Sequence, residues 1–175
     1  MTVFRSVRNV ASCDYDTGQI AAWVQADRDV WACRRLDRPT WVALIDDVIA
    51  GFTDLESNGH IDMLFVDPAR QRRGVASTLL DKVENTARAQ RLAILHTDAS
   101  ITARPFFEAR GFQVIRSQVV ALRGQQLTNF RMEKRLRTVI DNRSEKQPDQ
   151  SLKIRIRCFQ ALFWGICLFS VSHNI

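Results

Sequence analysis

The sequence predicts an α/β (α+β) protein, a mixed central sheet with antiparallel hairpins and flanking helices. Three observations carry this. Three short apolar runs crowd into residues 40–66 with turn residues between them. From Gly74 the apolar period becomes helical. Two more strand-like runs meet at Arg123-Gly124. The resulting order, β-β-β-α-β-α-β-β behind an early helix, differs from a doubly wound nucleotide fold.

Each element has its own signal. Thr17 to about Arg28 reads as the early helix, with Ile20, Trp23, Val24 and Trp31 on its apolar side. "TWVALIDDVIAGFTDL" gives two strands around Asp46-Asp47. Asn58-Gly59 in "SNGH" is a favoured tight-turn pair. "IDMLFV" is almost wholly apolar, so it is expected as a third and central strand, ended by Pro68. Val75, Leu79, Leu80, Val83 and Ala87 recur at helical spacing. "RLAILHT" is a strand, and "SITARPFFEARGF" is a short helix stopped at Gly111.

Composition bounds the function. The 175 residues are 46% hydrophobic and 25% charged, an ordinary globular mixture that favours one main domain. Cys13, Cys33, Cys158 and Cys167 form no C-x-x-C pair, and none stands at zinc spacing from a histidine. Reduced thiols, a cytoplasmic location and no metal are the expectation. No apolar stretch follows Arg5 and Arg8 in the manner of a secretory signal. The net charge is +6, but residues 137–175 hold six basic and three acidic side chains, half of that excess. The remainder shows no basic stripe, which argues against a nucleic-acid partner.

The texture changes after Arg137. Residues 1–137 form the main domain, 138–151 a polar linker and 152–175 a basic, then apolar, tail. From Cys158 to Val171 the tail has 14 residues, short for a membrane span. Two fates are open for it. Either it is a loose extension, free or resting on a membrane surface as a basic amphipathic element, or "KIRIR", alternating charge and isoleucine, pairs with an open sheet edge.

"DPARQRRGVAS" places three arginines and a glycine where a strand ends and a helix begins. A helix N-terminus offers unpaired N–H groups and the positive dipole end, and Gly74 permits close approach of an anion. Arg70, Arg72 and Arg73 add charge around the rim. A phosphate cradle, a solvated turn and a nucleic-acid contact all remain open on spacing alone.

Gln71, Gly74 and Ala76, following "MLFVDP", resemble the Q-x-x-G-x-A motif of the GCN5-related N-acetyltransferases (GNAT). "SITARPFFEARGF" is similar to a second family segment at Ala103, Phe106, Gly111 and Phe112. The resemblance runs from about residue 4 to 136 and is strongest to the YafP-like bacterial branch. It implies acetyl-CoA as co-substrate and a small-molecule amine as acceptor, with an acyl-CoA-binding module of little or no turnover as the alternative. It also implies that Leu64, Phe65 and Val66 face the pantetheine arm. Gln71, Arg72, Arg73, Gly74, Val75 and Ala76 then face the pyrophosphate, with Ser77 next to them. Ser100 stands where the family usually has asparagine, and Phe107 where it usually has tyrosine. Phenylalanine cannot donate a proton, so that role passes elsewhere. The resemblance begins inside the family's first helix, around "VFRSVRNV", leaving the opening strand without a counterpart. A homodimer is compatible with all of this and is not fixed by it.

Acetyl transfer to an amine needs a base, because an amine of pKa near 10 is mostly ammonium at pH 7. Asp62 is the first candidate, a carboxylate in an apolar strand whose burial raises its pKa. Asp98 is the second, although capping the following helix also suits it. His96 is expected as a packed, hydrogen-bonded side chain. Tyr15, the only tyrosine, is a candidate proton donor to the leaving thiolate. Trp23, Trp31 and Trp41 are core by spacing, and one of them could border the acceptor. Asn129 carries a polar group for the same pocket.

Overall fold

The protein is described by a computed structural model covering residues 2–24, 38–136 and 154–158. The chain starts with α1 (Thr2–Asn9), a 3-10 turn (Ala11–Cys13) and α2 (Thr17–Val24). Strands β1 (Thr40–Ile45), β2 (Val48–Asp54), β3 (His60–Ile61) and β4 (Leu64–Val66) follow. Next come a 3-10 turn (Pro68–Arg70), α3 (Val75–Ala89), β5 (Ile94–Ser100) and α4 (Arg104–Ala109). The last strands are β6 (Gln113–Leu122), β7 (Gln125–Arg135) and β8 (Arg155–Cys158). The predicted helix from Thr17 is described to Val24; its continuation and Trp31 lie outside the described residues, as do the linker, most of the tail, Cys33 and Cys167.

The strands form two four-stranded sheets, ordered β4-β2-β1-β8 and β3-β5-β7-β6. All pairs are antiparallel except β3 with β5. Both hairpin turns at Asp46-Asp47 and Arg123-Gly124 use two successive positive-φ residues, the backbone whose twist suits flanking strands. The principal core includes Ile45, Leu55, Leu79, Leu80, Leu95 and Met132, each at most 2% exposed. The apolar side of α3 covers this core, as its periodicity predicts.

"IDMLFV" differs from its expectation. It is two short strands in different sheets, not one central strand. The break is at Asp62-Met63. Buried Asp54 accepts the Met63 N–H through Oδ1 at 2.9 Å, and Thr53 Oγ1 donates to the Met63 carbonyl at 2.9 Å. With the Asp54 N–H donating to the same Met63 carbonyl at 3.3 Å, β2 holds Met63 through side chains as well as backbone. The apolar character of β4 comes from Leu64 and Val66 packing on the core and Phe65 stacking on Phe52 at 5.8 Å. It does not come from burial between two strands, since β4 ends its sheet.

The tail also resolves one open alternative. Residues 155–158 pair antiparallel with β1, from Trp41↔Cys158 to Leu44↔Arg155. Ile154 and Ile156 pack against the core while Arg155 and Arg157 face outward. For residues 154–158 this is the edge-strand fate; the rest of the tail lies outside the described residues. The alternation of isoleucine and arginine is its cause: one face is apolar, and β1 offers an unpaired edge. Cys13 and Cys158 are free and exposed. Among the described residues no helix is long and apolar enough to cross a membrane, and no group of side chains is arranged to hold a metal ion.

Candidate active site

A cleft of ≈ 810 Å³ opens where the two sheets part, between β4 and β5. Its first half is built from β4, the arginine-rich loop and α3. No described strand covers the outer edge of β4, so the backbone of Leu64, Phe65 and Val66 has no strand partner there among the described residues. All three line the cleft. Gly51 lets this strand lie close: a Cβ there would stand 2.6 Å from the Phe65 carbonyl oxygen.

The loop turns through Arg72 (φ 59°) and Gly74 (φ 77°), both left-handed. Gly74 begins α3 without a side-chain cap, and no acidic residue lies in the first turn. The first intrahelical bond runs from the Thr78 N–H to the Gly74 carbonyl at 3.0 Å. The amides of Val75, Ala76 and Ser77 therefore precede any helical partner. A Cβ on Gly74 would meet nothing within 4 Å, so the space before the amides is open. Gln71, Arg72, Gly74, Val75, Ala76 and Ser77 line the cleft; Arg73 belongs to the same loop but does not line it. An open cradle of amides with arginines at its rim fits a pyrophosphate.

Beyond this half, the floor is the end of β5 and the start of α4. Ser100 Oγ accepts the Ala103 N–H at 3.1 Å, closing the turn into α4. Phe107 lines the cleft from α4, 3% exposed and set edge-on to Phe106 and Phe112. Its packed ring offers no proton to the cleft.

The second half lies toward α1, α2 and β7. Asp62 lines it, but the expectation of burial fails. The strand break turns the residue outward, and its side chain is 32% exposed with Arg38 Nη1 at 3.4 Å from Oδ2. Asp98 also lines the cleft, yet it caps no helix. It lies within β5, where it accepts from Gln118 Nε2 at 2.9 Å and has Arg131 and His60 each at 3.7 Å. It is a strand residue because β5 continues to Ser100, past the predicted end at Thr97.

Tyr15 is buried and joins three segments. Its hydroxyl donates to the Thr128 carbonyl at 2.6 Å and accepts the Ile101 N–H at 3.0 Å. Burial foremost, with Asp14 adding to it, raises its pKa against the opposing effect of the Ile101 hydrogen bond. Its single proton is thus directed at a backbone carbonyl. Trp23 meets its ring edge-on at 5.4 Å and borders the cleft, whereas Trp41 is core. Asn129 reaches the cleft with Oδ1 buried and without a hydrogen-bond partner among the described residues. His96 is packed as expected, but among the described residues its buried Nδ1 has no hydrogen-bond partner, contrary to expectation. Burial, then Arg131 and His60, lower its pKa.

One cleft residue was missed from sequence. His60 lines the site, with Nδ1 3.5 Å from Glu56 Oε1 and Nε2 3.7 Å from Asp98 Oδ2. The available signal was Glu56 and His60 bracketing the Asn58-Gly59 turn. The partner on β5 is long-range and had no signal in the sequence.

Comparison with known proteins agrees with this geometry. Residues 13–136 match the family model described as an acetyltransferase (GNAT) domain. The Escherichia coli (strain K12) protein YafP, an uncharacterized N-acetyltransferase, is 44% identical over 128 residues, covering 73% of this chain and 81% of its own. A crystal structure of a GCN5-related N-acetyltransferase from Rhodopseudomonas palustris superposes with a TM-score of 0.74 at 36% identity, covering 76% of this chain and 84% of that one. A Sinorhizobium meliloti phosphinothricin acetyltransferase, solved in complex with AcCoA, shares the fold at TM-score 0.59 and 15% identity, covering 86% of this chain and 89% of that one. The opened sheet, the amide cradle and these matches together place the chain in the GCN5-related N-acetyltransferase family.

Proposed function

We propose that the protein transfers the acetyl group of acetyl-CoA to a primary amine of a small molecule by direct attack. The observation that carries this is the uncapped α3 N-terminus behind Gly74, continuous with the open β4 edge. The cradle's amides from Val75 to Ser77 and the Arg72 side chain suit the pyrophosphate, and the backbone of Leu64–Val66 suits the pantetheine amides. That arrangement points the thioester toward the second half of the cleft. There Trp23, Leu122 and Leu127 supply an apolar wall, and Asp62 and Asp98 supply negative charge for an ammonium.

The chain's residues have three tasks: hold the donor, orient the acceptor and remove a proton from it. A covalent enzyme intermediate is not needed. Asp62 is drawn toward Arg38, which favours a charge-balancing role for it over proton transfer. Tyr15 holds the wall of the acceptor side and leaves the leaving thiolate to be protonated by the amine's own surplus proton.

Calorimetric titration with acetyl-CoA, followed by thiol release with phenethylamine, putrescine and ethanolamine, tests the reading. Gly74→Glu introduces a side chain at left-handed φ and a negative charge beside the cradle. The expected loss of affinity is at least about tenfold, or ~1.4 kcal/mol. Equal affinity of variant and parent places the donor elsewhere.

A further inference from the structure

Building on that reading, the geometry points to His60 as the group that takes the proton from the acceptor, with Asp98 holding the ammonium beside it. The argument starts in the turn. Gly59 has φ +88°, and a Cβ there would overlap the Ile94 carbonyl oxygen. Only glycine lets this turn lie against β5. The His96 N–H donates to the Gly59 carbonyl at 3.0 Å, the Glu56 N–H to the His60 carbonyl at 2.8 Å, and the His60 N–H to Asn58 Oδ1 at 2.8 Å. The backbone of His60 is therefore fixed in register opposite His96.

The ring is fixed as well. It stacks on His96 with centroids 5.0 Å apart and an interplanar angle of 18°. Nδ1 faces Glu56, whose carboxylate is itself gripped by Arg38. In the tautomer that places the imidazole N–H toward Glu56, the nearer carboxylate, Nε2 presents a lone pair toward the cleft. Facing it at 3.7 Å is Asp98 Oδ2, which also only accepts. Two acceptors at this separation leave a place for a donor: an ammonium nitrogen about 2.8 Å from each would bridge them. Arg131 and Glu133, paired across β5 and β7 with Asp98 and His96, complete the ionisable groups around the ring, and Asp62 stands beside Arg38.

The step balances. The bound R–NH3+ gives one proton to His60 Nε2. The freed nitrogen lone pair forms a C–N bond to the thioester carbonyl carbon, and the C–S bond breaks with its electron pair leaving on sulfur. The sulfur takes the surplus proton of the new C–N nitrogen. The imidazolium returns its proton to solvent, so each turnover releases one amide, one thiol and one proton.

His60→Gln and Asp98→Asn test this in the full chain, with the most active of the three amines above. His60→Gln is expected to bind acetyl-CoA within about twofold of the parent and to lose about 100-fold in kcat at pH 7. That deficit is expected to shrink below about fivefold at pH 9.5, where much of an amine of pKa near 10 is already free. Added imidazole restores part of the rate at pH 7. Asp98→Asn is expected to raise KM for the amine about tenfold with a smaller change in kcat. A loss in His60→Gln that is equal at both pH values, or smaller than threefold, overturns the assignment and leaves acetyl transfer intact. Acetyl-CoA binding with no thiol release from the parent and any amine overturns the proposed reaction, and this step with it.

Discussion

The Tyr15 hydroxyl donates to the Thr128 carbonyl at 2.6 Å across 113 residues of sequence. The same oxygen accepts the Ile101 N–H. One phenol thus ties the N-terminal helical segment to β7 and to the turn before α4, and in doing so sets one wall of the cleft.

Tyr15→Phe keeps the ring and removes the tie. Two backbone groups lose their partner, at a cost of about 1–3 kcal/mol. The expected outcome is a lower midpoint in urea with kcat reduced less than about threefold. A variant of unchanged midpoint and kcat lowered a hundredfold would show instead that the hydroxyl serves the leaving thiolate.

The tail strand gives a second prediction. Ending the chain after Leu136 removes β8, exposes the Val42–Leu44 edge and uncovers the surface packed by Ile154 and Ile156. Partial burial of two isoleucines is worth about 2–4 kcal/mol together. The truncated protein is expected to melt about 5–10 °C lower and to associate as its concentration rises, because an unpaired edge recruits another. A monomer with the parent's Tm would mean that β8 contributes nothing.

His96 makes stability depend on pH. Burial foremost, then Arg131 and His60, depress its proton affinity in the folded state below the ordinary value near 6.5. Between the two values the unfolded chain binds more protons, so stability rises with pH there. The contribution is complete above about pH 6.5 and is lost as the pH falls. His96→Gln should narrow the Tm difference between pH 7.5 and pH 5.5. Equal acid sensitivity in parent and variant would count against this role.

Sequence alone determined the local rules. Helical spacing from Val75 to Ala87 yields α3, paired turn residues yield the hairpins, and a glycine after a strand, ringed by arginines, yields the uncapped start of α3. These are legible because each depends on neighbours within a turn or two of chain. Tertiary structure decided what depends on distant partners. Asp54 and Thr53 of β2 broke the "IDMLFV" run and turned Asp62 outward. Strand β5 extended to Ser100, made Asp98 a strand residue and brought it to His60. The free edge of β1 drew in residues 155–158 from beyond the predicted domain end. A backbone edge accepts a strand from any distance along the chain, and a carboxylate's role follows its spatial neighbours; neither is written in local periodicity.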